Sequence, residues 1–431
     1  MAYTEKHEVH EANWLERMGS SFKGILVGLG LFILAFPLLF WNEGRAVATA
    51  KRLTEGAGNV VSVPFDKVDS ANEGKLVHVC GKADTAEILE DTQFGVSVKA
   101  IRLRRQVEIY QWVEEKEVRR YKDKEGKTQE ETTWKTPVLK WCSAPVDSDA
   151  FHGSNRSDAH VNPKQMAYGD MELIAKDVSL GAFRLPEANV KRIGGEKAFV
   201  FPQDYQVPET LRGAKMVNGT VYVPVDVPVV TTTAKPAAMD SCSPLLNAAR
   251  QTGSSNSVAN AVAATFRDVA AKPQAGDLRV TFKVVEPHDI SLIEKQTGDT
   301  FMPWAASDGE PISLQRDGRA EAATMFKAAQ DSNKTMTWIL RLVGFFVMFI
   351  GLKMILGPLT TLVDVIPILN GLVGAAAGLV AFLIAAVCSL ITIAIAWFFY
   401  RPVLSIVLLA VAGAVVFWVM TIKKKRMGAT A

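Results

Sequence analysis

Two short segments carry histidines and carboxylates close enough together to suggest metal binding. The two groups are His7, Glu8, His10 and Glu11 near the start, and His152, Asp158 and His160 in the middle of the chain. The first group lacks the HExxH spacing of zinc enzymes, and the second lies in a run rich in serine, asparagine and glycine. Zinc sites need three or four fixed ligands. A polar tail and a polar loop are therefore the simpler interpretations, and we predict no metal site.

Sequence motifs of the common catalytic mechanisms are also missing. The chain has no GxSxG nucleophile elbow and no GxxxxGK[ST] phosphate loop. Its four cysteines, Cys80, Cys142, Cys242 and Cys388, form no CxxC pair. In an oxidising compartment, at most one pair among the first three could form a disulfide within a subunit. We predict no catalytic residue, no cofactor and no enzyme activity.

The charge balance argues against nucleic acid as a partner. The 431 residues include 48 Lys and Arg against 45 Asp and Glu, a net charge of +3. The most basic and aromatic stretch, residues 102–131, has nine basic residues but also eight acidic ones. Because single-stranded nucleic acids need a net positive groove, this stretch is better explained as the solvated face of a sheet.

Four apolar runs are long enough to cross a bilayer, whose hydrocarbon core of about 30 Å needs about 20 helical residues. The second run carries Arg341 and Lys353 near its ends, where long side chains can reach the interface. The third run has 36 uncharged residues, too many for one simple span, and Pro367, Asn370 and Gly371 mark a break. We predict transmembrane helices at 24–42, 336–356, 372–400 and 403–422, with a cytosolic interfacial segment at 357–371.

The orientation follows from the basic cluster after the last span, because cytosolic flanks of membrane helices are enriched in Lys and Arg. The cluster consists of Lys423, Lys424, Lys425 and Arg426. It predicts a cytosolic tail at 423–431 and, with four spans, a cytosolic N-terminal tail at 1–23. Asp364 then lies at the cytosolic interface, where it pairs with Lys353 or Arg426 or remains solvated.

The segment 43–335 is predicted to be an extracytosolic, β-rich domain with some helix. Alternating apolar and charged residues over 96–121 and 128–134 predict a long hairpin, and 220–233, 278–285 and 290–301 predict further strands. The Ser- and Ala-rich stretch 241–272 is interpreted as a mobile insertion. Strong helix formers at 319–333 predict a helix that continues into the second span. The fold class is therefore a multi-pass α-helical membrane protein of four transmembrane helices, with an α+β domain between helices 1 and 2.

Small residues four positions apart mark two candidate helix-packing faces. One contains Gly24 and Gly28 in the first span, and the other contains Gly374 and Gly378 in the third. Such faces let helix backbones approach closely in lipid. Packing within one subunit is the favoured interpretation, and a contact between subunits is the alternative.

Several segments resemble the LUMA family, also called transmembrane protein forty-three. The matching segments are 42–46, 72–79, 101–114, 276–280, 361–364 and 400–402. The resemblance implies a four-pass protein with a large domain outside the cytosol. Animal members reside in the endoplasmic reticulum and inner nuclear envelope, self-associate, and are linked to lamins and emerin. This chain resembles a bacterial member, for which the lamina partners are not expected.

The sequence thus favours a non-enzymatic integral membrane scaffold that self-associates and organises membrane or envelope complexes through its large domain. Its expected partners are the lipid bilayer, further copies of itself and other membrane proteins. The expected location is a bacterial inner membrane with the domain in the periplasm, or an endomembrane or nuclear envelope in a eukaryote. The alternative is a pore, channel or transporter component, which is disfavoured because the centres of the spans contain no ionisable residue.

Overall fold

The computed structural model describes residues 3–8, 14–122, 128–225, 268–357, 367–403 and 405–406. Its α-helices are α1 (Trp14–Asn59), α2 (Glu187–Arg192), α3 (Ala322–Ile355) and α4 (Pro367–Tyr400). Short 3-10 helices cover Ser70–Asn72, Ser148–Ala150, Gly153–Asn155 and Asp158–His160. Among these residues, three helical segments are long and apolar enough to cross a membrane: Gly24–Asn59, Ala322–Ile355 and Ala375–Tyr400.

The rest of the described chain is mostly strand. The strands are β1 (Tyr3–Glu8), β2 (Val61–Ser62), β3 (Leu76–Thr85), β4 (Ile88–Asp91), β5 (Val96–Lys99), β6 (Arg102–Val113), β7 (Lys116–Lys122), β8 (Thr128–Trp134), β9 (Val138–Cys142), β10 (Met171–Ile174), β11 (Val178–Leu180), β12 (Phe183–Arg184), β13 (Lys197–Ala198), β14 (Lys215–Val217), β15 (Thr220–Val223), β16 (Leu278–Val285), β17 (His288–Thr297), β18 (Thr300–Met302), β19 (Trp304–Ala305), β20 (Pro311–Ile312) and β21 (Leu314–Asp317). All but β1 lie between α1 and α3, as the sequence predicts.

Two large sheets of the domain share one hydrophobic core. One has the order β10-β6-β16-β15-β14, with β9 added on β6 and β13 on β16. The other has the order β12-β11-β3-β17-β18, with β2 added on β3 and β21 on β17. Fully buried side chains from both sheets, including Val79, Leu103, Val280 and Leu292, belong to the same cluster. Burying these apolar surfaces is the main driving force for folding of the domain.

The alternating pattern is confirmed where it was strongest. Along β6 the side chains alternate between partly and fully buried over most of the strand, as expected for one face against a core. The strand at 278–285 is β16, and the turn at Gly298 and Asp299 separates β17 from β18. The predicted single strand over 96–121 is instead divided into β5, β6 and β7. Residues 241–267 of the predicted insertion, and 226–233 of the strand at 220–233, lie outside the described residues.

Helix α1 is longer than the predicted span 24–42, and its residues 43–59 belong to the segment that the sequence predicts as the start of the domain. It continues to Asn59 because the segment after Asn42 is rich in helix formers and has a buried face. Ala46 is 2% exposed and Leu53 6% exposed, and Leu53 packs against Ile312 and Phe326 of the domain and α3. At about 1.5 Å per residue, the 46 residues of α1 extend about 69 Å.

Helix α3 confirms the continuous helix predicted from the domain into the second span, since it begins at Ala322 and ends at Ile355 without a break. Helix α4 begins at Pro367, a favoured first helical residue, so residues 367–371 of the segment predicted as interfacial are helical and continuous with the third span. Residues 358–366 lie outside the described part of the chain, as do most of the predicted fourth helix 403–422 and the tail 423–431.

The N-terminal strand β1 pairs with β8 of the domain, which also pairs with β7, in a three-stranded sheet. Tyr3 lies against Trp134 with ring centroids 5.6 Å apart. A chain that crosses the bilayer once, through 24–42, cannot bring its first residues back to the domain. Strand β1 can pair with β8 only if residues 3–8 lie on the same side of the membrane as the domain. The sequence predicts that residues 1–23 lie on the other side, so the two arrangements exclude each other.

Candidate functional site

The apolar part of α1 ends in a buried acidic residue that joins three helices. Arg341 of α3 donates from Nε to Oε1 of Glu43 at 2.6 Å and from Nη2 to Oε2 at 2.8 Å. Trp397 of α4 donates its indole Nε1 hydrogen to Oε2 of Glu43 at 2.8 Å. The Arg341 guanidinium also lies 4.8 Å from the ring centroid of Trp338. The carboxylate thus accepts three hydrogen bonds, two of them from a cation, and a buried charge requires such partners.

Two residues along the helix, Arg45 extends the same network between α1 and α3. Its guanidinium donates to Oδ1 of Asn333 at 3.2 Å and to Oγ1 of Thr337 at 3.3 Å. Asn333 donates back to the carbonyl oxygen of Ala46 at 2.9 Å, and Asn42 donates to the carbonyl oxygen of Thr337 at 3.1 Å. These contacts hold the two helices in one register. We call the residues Asn42, Glu43, Arg45, Asn333, Thr337, Arg341 and Trp397 the helix-junction network.

Glycines allow the close helix approach that the network needs. A Cβ on Gly28 would meet the carbonyl oxygen of Gly351 at 2.6 Å, and one on Gly351 would meet that of Gly28 at 2.7 Å. A Cβ on Gly344 would meet the side chain of Leu39. A Cβ on Gly44 would meet the ring of Tyr400 at 2.6 Å. The backbones of α1 and α3 are therefore in direct contact, as small residues permit in membrane helices.

The other sequence-predicted residues lie apart from this contact. Gly24 and Gly378 have nothing within 4 Å of a built Cβ among the described residues, and Gly374 lies within α4. Lys353 lies exposed in the last turn of α3. Asp364 and the cluster Lys423, Lys424, Lys425 and Arg426 lie outside the described residues. The sequence places Arg341 near the end of its span, where its side chain can reach the interface. In the structure its guanidinium pairs with Glu43, and 14% of its side chain is exposed.

Polar contacts also fasten the membrane-distal half of α1 to the domain. Arg52 forms an ion pair with Asp308 at 3.0 Å, and this hydrogen bond holds the pKa of Asp308 below its usual range. Glu55 accepts hydrogen bonds from the backbone and hydroxyl of Ser307 at 3.0 and 2.6 Å. His78 of β3 lies 2.9 Å through Nε2 from the carbonyl oxygen of Ala320, just before α3. Both helices are thus attached to the domain where they meet it.

The histidine-rich loop at 152–160 has structural contacts instead of a ligand set. His152 lies 2.8 Å through Nδ1 from Glu114 and stacks on Trp134 with ring centroids 4.0 Å apart. Burial raises the pKa of Glu114, but hydrogen bonds from Asn155 and His152 outweigh this effect and lower it overall. His160 lies 2.9 Å through Nδ1 from the carbonyl oxygen of Asn155. In the part of the chain with described positions, no three His, Cys, Asp or Glu side chains are grouped to hold a metal ion.

Sequence reasoning missed the helix-junction network, although one signal was available. Glu43 and Arg341 are opposite charges that each border an apolar run. With the domain joining the two helices, both charges must lie at the same membrane boundary, where pairing is favourable.

Among the described cysteines, Cys80, Cys142 and Cys388 are free thiols, while Cys242 lies outside the described residues.

The family model described as "Transmembrane protein 43" matches residues 109–402. The chain is 31% identical to mouse Transmembrane protein 43 over 405 residues, which are 91% of this chain and 88% of the mouse protein. It is 31% identical to the human protein over 415 residues, covering 93% and 90% of the two chains. The Drosophila melanogaster homolog is 26% identical over 417 residues, covering 94% and 96%. No solved structure matches the chain. The chain belongs to the Transmembrane protein 43 family of integral membrane proteins.

Proposed function

We propose that this protein is a non-enzymatic membrane scaffold that self-associates and organises membrane complexes through its large domain. The observation that carries the proposal is the fixed attachment of the domain to the membrane helices. Helices α1 and α3 continue without a break from the apolar segments to the domain. The helix-junction network and the Arg52–Asp308 pair hold them there. A domain held in this way presents a constant surface to neighbouring proteins at one membrane face.

An unfilled glycine surface supports self-association. Gly378 on α4 has no described atom within 4 Å of a built Cβ, and α4 side chains around it, such as Leu379 and Val380, are exposed. Small residues exposed on a membrane helix favour contact with another helix.

The basic cluster at 423–426 supports an orientation with the domain outside the cytosol. In a bacterial host that compartment is the periplasm, and in a eukaryote it is the lumen of an endomembrane or nuclear envelope.

The packing of the described helices disfavours the pore alternative. Their shared core consists of apolar side chains, including Ala35, Leu39, Met348 and Ala385. Ser389 and Thr392 donate to carbonyl oxygens of their own helix, Ala386 and Cys388, and so offer no polar path between helices. Liposomes containing the full chain should show no ion or solute flux above protein-free liposomes, and measurable flux would favour the pore.

The direct test is the particle mass of the full chain extracted in native lipid. We expect discrete multiples of the 47.0 kDa chain. G378L should shift the distribution toward the monomer, because the added side chain blocks close helix approach. G30L is the matched control, since Gly30 also has open space around it but lies on α1. A strictly monomeric wild-type particle with no co-purifying partner would contradict the scaffold proposal.

A further inference from the structure

A groove of about 710 Å³ opens beside the helix-junction network, between α1, α3 and α4. Six of its lining residues are relevant to binding: Lys51, Lys334, Trp338, Arg341, Trp397 and Arg401. Four of them are cations and two are tryptophans. No carboxylate is among the described residues that line the groove. The combination is unusual for a helix surface that simply faces water, where charges of both signs are mixed.

The positive charge of the groove is only partly neutralised. Arg341 is balanced by Glu43, and Lys334 lies 2.9 Å from the exposed carboxylate of Asp331. Lys51 and Arg401 have no carboxylate within ion-pair distance among the described residues. Arg45, which donates to the groove residues Asn333 and Thr337, likewise contacts only neutral acceptors there. A small anion would complement this excess of positive charge.

The position of the groove relative to the membrane indicates that the anion is a lipid headgroup. Arg401 directly follows the apolar segment that ends at Tyr400, and therefore marks the hydrocarbon boundary. Lys51 lies eight residues beyond Glu43, about 12 Å farther along α1. The polar headgroup region is about 5 to 8 Å deep on each side of the hydrocarbon core, so Arg401 lies within it and Lys51 lies at its outer edge, where its long side chain can reach back to a headgroup. Trp338 is 63% exposed at this level, where tryptophan is favoured in membrane proteins.

An apolar surface continues from the groove toward the membrane. Leu342 and Phe346 follow Trp338 at steps of four residues on α3 and are 55% and 51% exposed. A molecule with a phosphate in the groove could therefore lay acyl chains along α3. A free phosphate would use only the upper part of this surface.

We propose that the groove binds an anionic phospholipid, with Lys51 and Arg401 contacting the phosphate and Leu342 the acyl chain. Basic pockets between membrane helices hold anionic headgroups at cytosolic membrane faces, and the same charge attraction applies here to anionic lipid in the leaflet on the domain side. The proposal does not depend on the scaffold function, because it rests only on the groove. Binding would also add a lipid contact to the junction of α1, α3 and α4.

The test uses the full chain in nanodiscs of phosphatidylcholine, titrated with water-soluble short-chain phosphatidylglycerol. K51Q/R401Q should bind this probe about 30-fold more weakly than wild type, since two surface cations are removed and each contributes roughly 1 kcal/mol to anionic lipid attraction. K51R/R401K should bind nearly as well as wild type. K215Q/R316Q is the matched control, because it removes two exposed domain cations and should leave binding unchanged.

Parallel titrations distinguish the possible sources of the anion. Short-chain phosphatidylcholine and inorganic phosphate should both bind much more weakly than phosphatidylglycerol. Equal binding of inorganic phosphate would overturn the lipid proposal in favour of a free-anion site. Equal binding of phosphatidylglycerol by K51Q/R401Q and wild type would remove the groove as the site. Thermal melting of each variant checks that lost binding is not lost folding.

Discussion

Arg341 and Glu43, 298 positions apart in the sequence, form a two-point ion pair in which the Glu43 side chain has no exposed surface and Arg341 retains 14%. The pair connects the last apolar turn of the first membrane helix to the corresponding turn of the second. It differs from a surface ion pair because water cannot replace either partner.

We expect E43Q and R341M each to lower the free energy of unfolding by about 3 to 5 kcal/mol, since each leaves a buried charge without its partner. The double variant E43Q/R341M should lose less than the sum of the two. Thermal or denaturant unfolding in lipid nanodiscs gives the double-mutant cycle. R319M is the control, because it removes an exposed pair with Asp289 and should change stability little. Additive losses in the cycle would contradict direct coupling.

The contact between Gly28 and Gly351 predicts a sharp difference between glycine substitutions. G351A should lower stability by about 1 to 3 kcal/mol, because its Cβ would meet backbone atoms of Gly28 and Phe32 at 2.7 and 2.8 Å. G30A should not be destabilising, since nothing lies within 4 Å of its built Cβ. The melting temperatures of the two variants check this. Equal effects would mean that α1 and α3 do not touch at Gly351.

The lowered pKa of His78 predicts that the domain loses stability in mild acid. Burial lowers its pKa, and the hydrogen bond to the carbonyl oxygen of Ala320 only partly opposes this effect. The unfolded chain therefore takes up a proton on His78 at a pH where the folded chain still resists it. Its contribution to stability is present above the unfolded pKa and is lost as the pH falls below about 6.5.

The measurement is the melting temperature from about pH 7.5 to about pH 5.5. Wild type should lose stability toward acid more steeply than H78Q, whose side chain does not titrate in this range. Because H78Q also perturbs the contact with Ala320, its overall melting temperature is expected to be lower. Parallel pH profiles for the two proteins would show that His78 does not supply the pH dependence.

The pairing of β1 with β8 predicts a disulfide in T4C/T133C. The two threonines are opposite each other, with their hydroxyl oxygens 3.4 Å apart, and paired strand positions lie within disulfide range. The background should lack the four native cysteines. E117C/T133C is the positive control, because both residues lie in the domain hairpin. If only the control disulfide formed, and the T4C thiol were labelled only from the opposite membrane face, the tail predicted from the sequence would be supported instead.

Much of the architecture was predictable because its signals are local. The apolar runs indicated the described spans, and alternation indicated β6 and β16. Long-range relationships were not predictable in this way. The extension of α1 to Asn59 depends on packing of Leu53 against residues from two distant segments. The ion pair of Glu43 joins residues 298 positions apart, and although the predicted topology places both charges at one membrane boundary, the direct contact depends on how the two helices pack.

The glycine predictions show the same difference between local signals and long-range contacts. Spacing identified Gly28, but only the structure supplies its partner Gly351, which belongs to no small-residue motif spaced by four in α3. Conversely, Gly24 and Gly378 satisfy the motif, but no described atom of another element lies within 4 Å of a Cβ built on either of them. The spacing of glycines on one helix shows that another helix could approach it closely. Which helix does so depends on the residues of that second helix.

The unbroken passage of α1 and α3 out of the apolar region has a geometric consequence. About 17 residues of α1 follow Asn42 before the helix ends at Asn59, a length of about 25 Å. If the membrane became thinner and the helices tilted by about 10°, the far end of this segment would move sideways by about 4 Å. Because the domain is fastened to that end, its angle to the membrane plane would follow bilayer thickness.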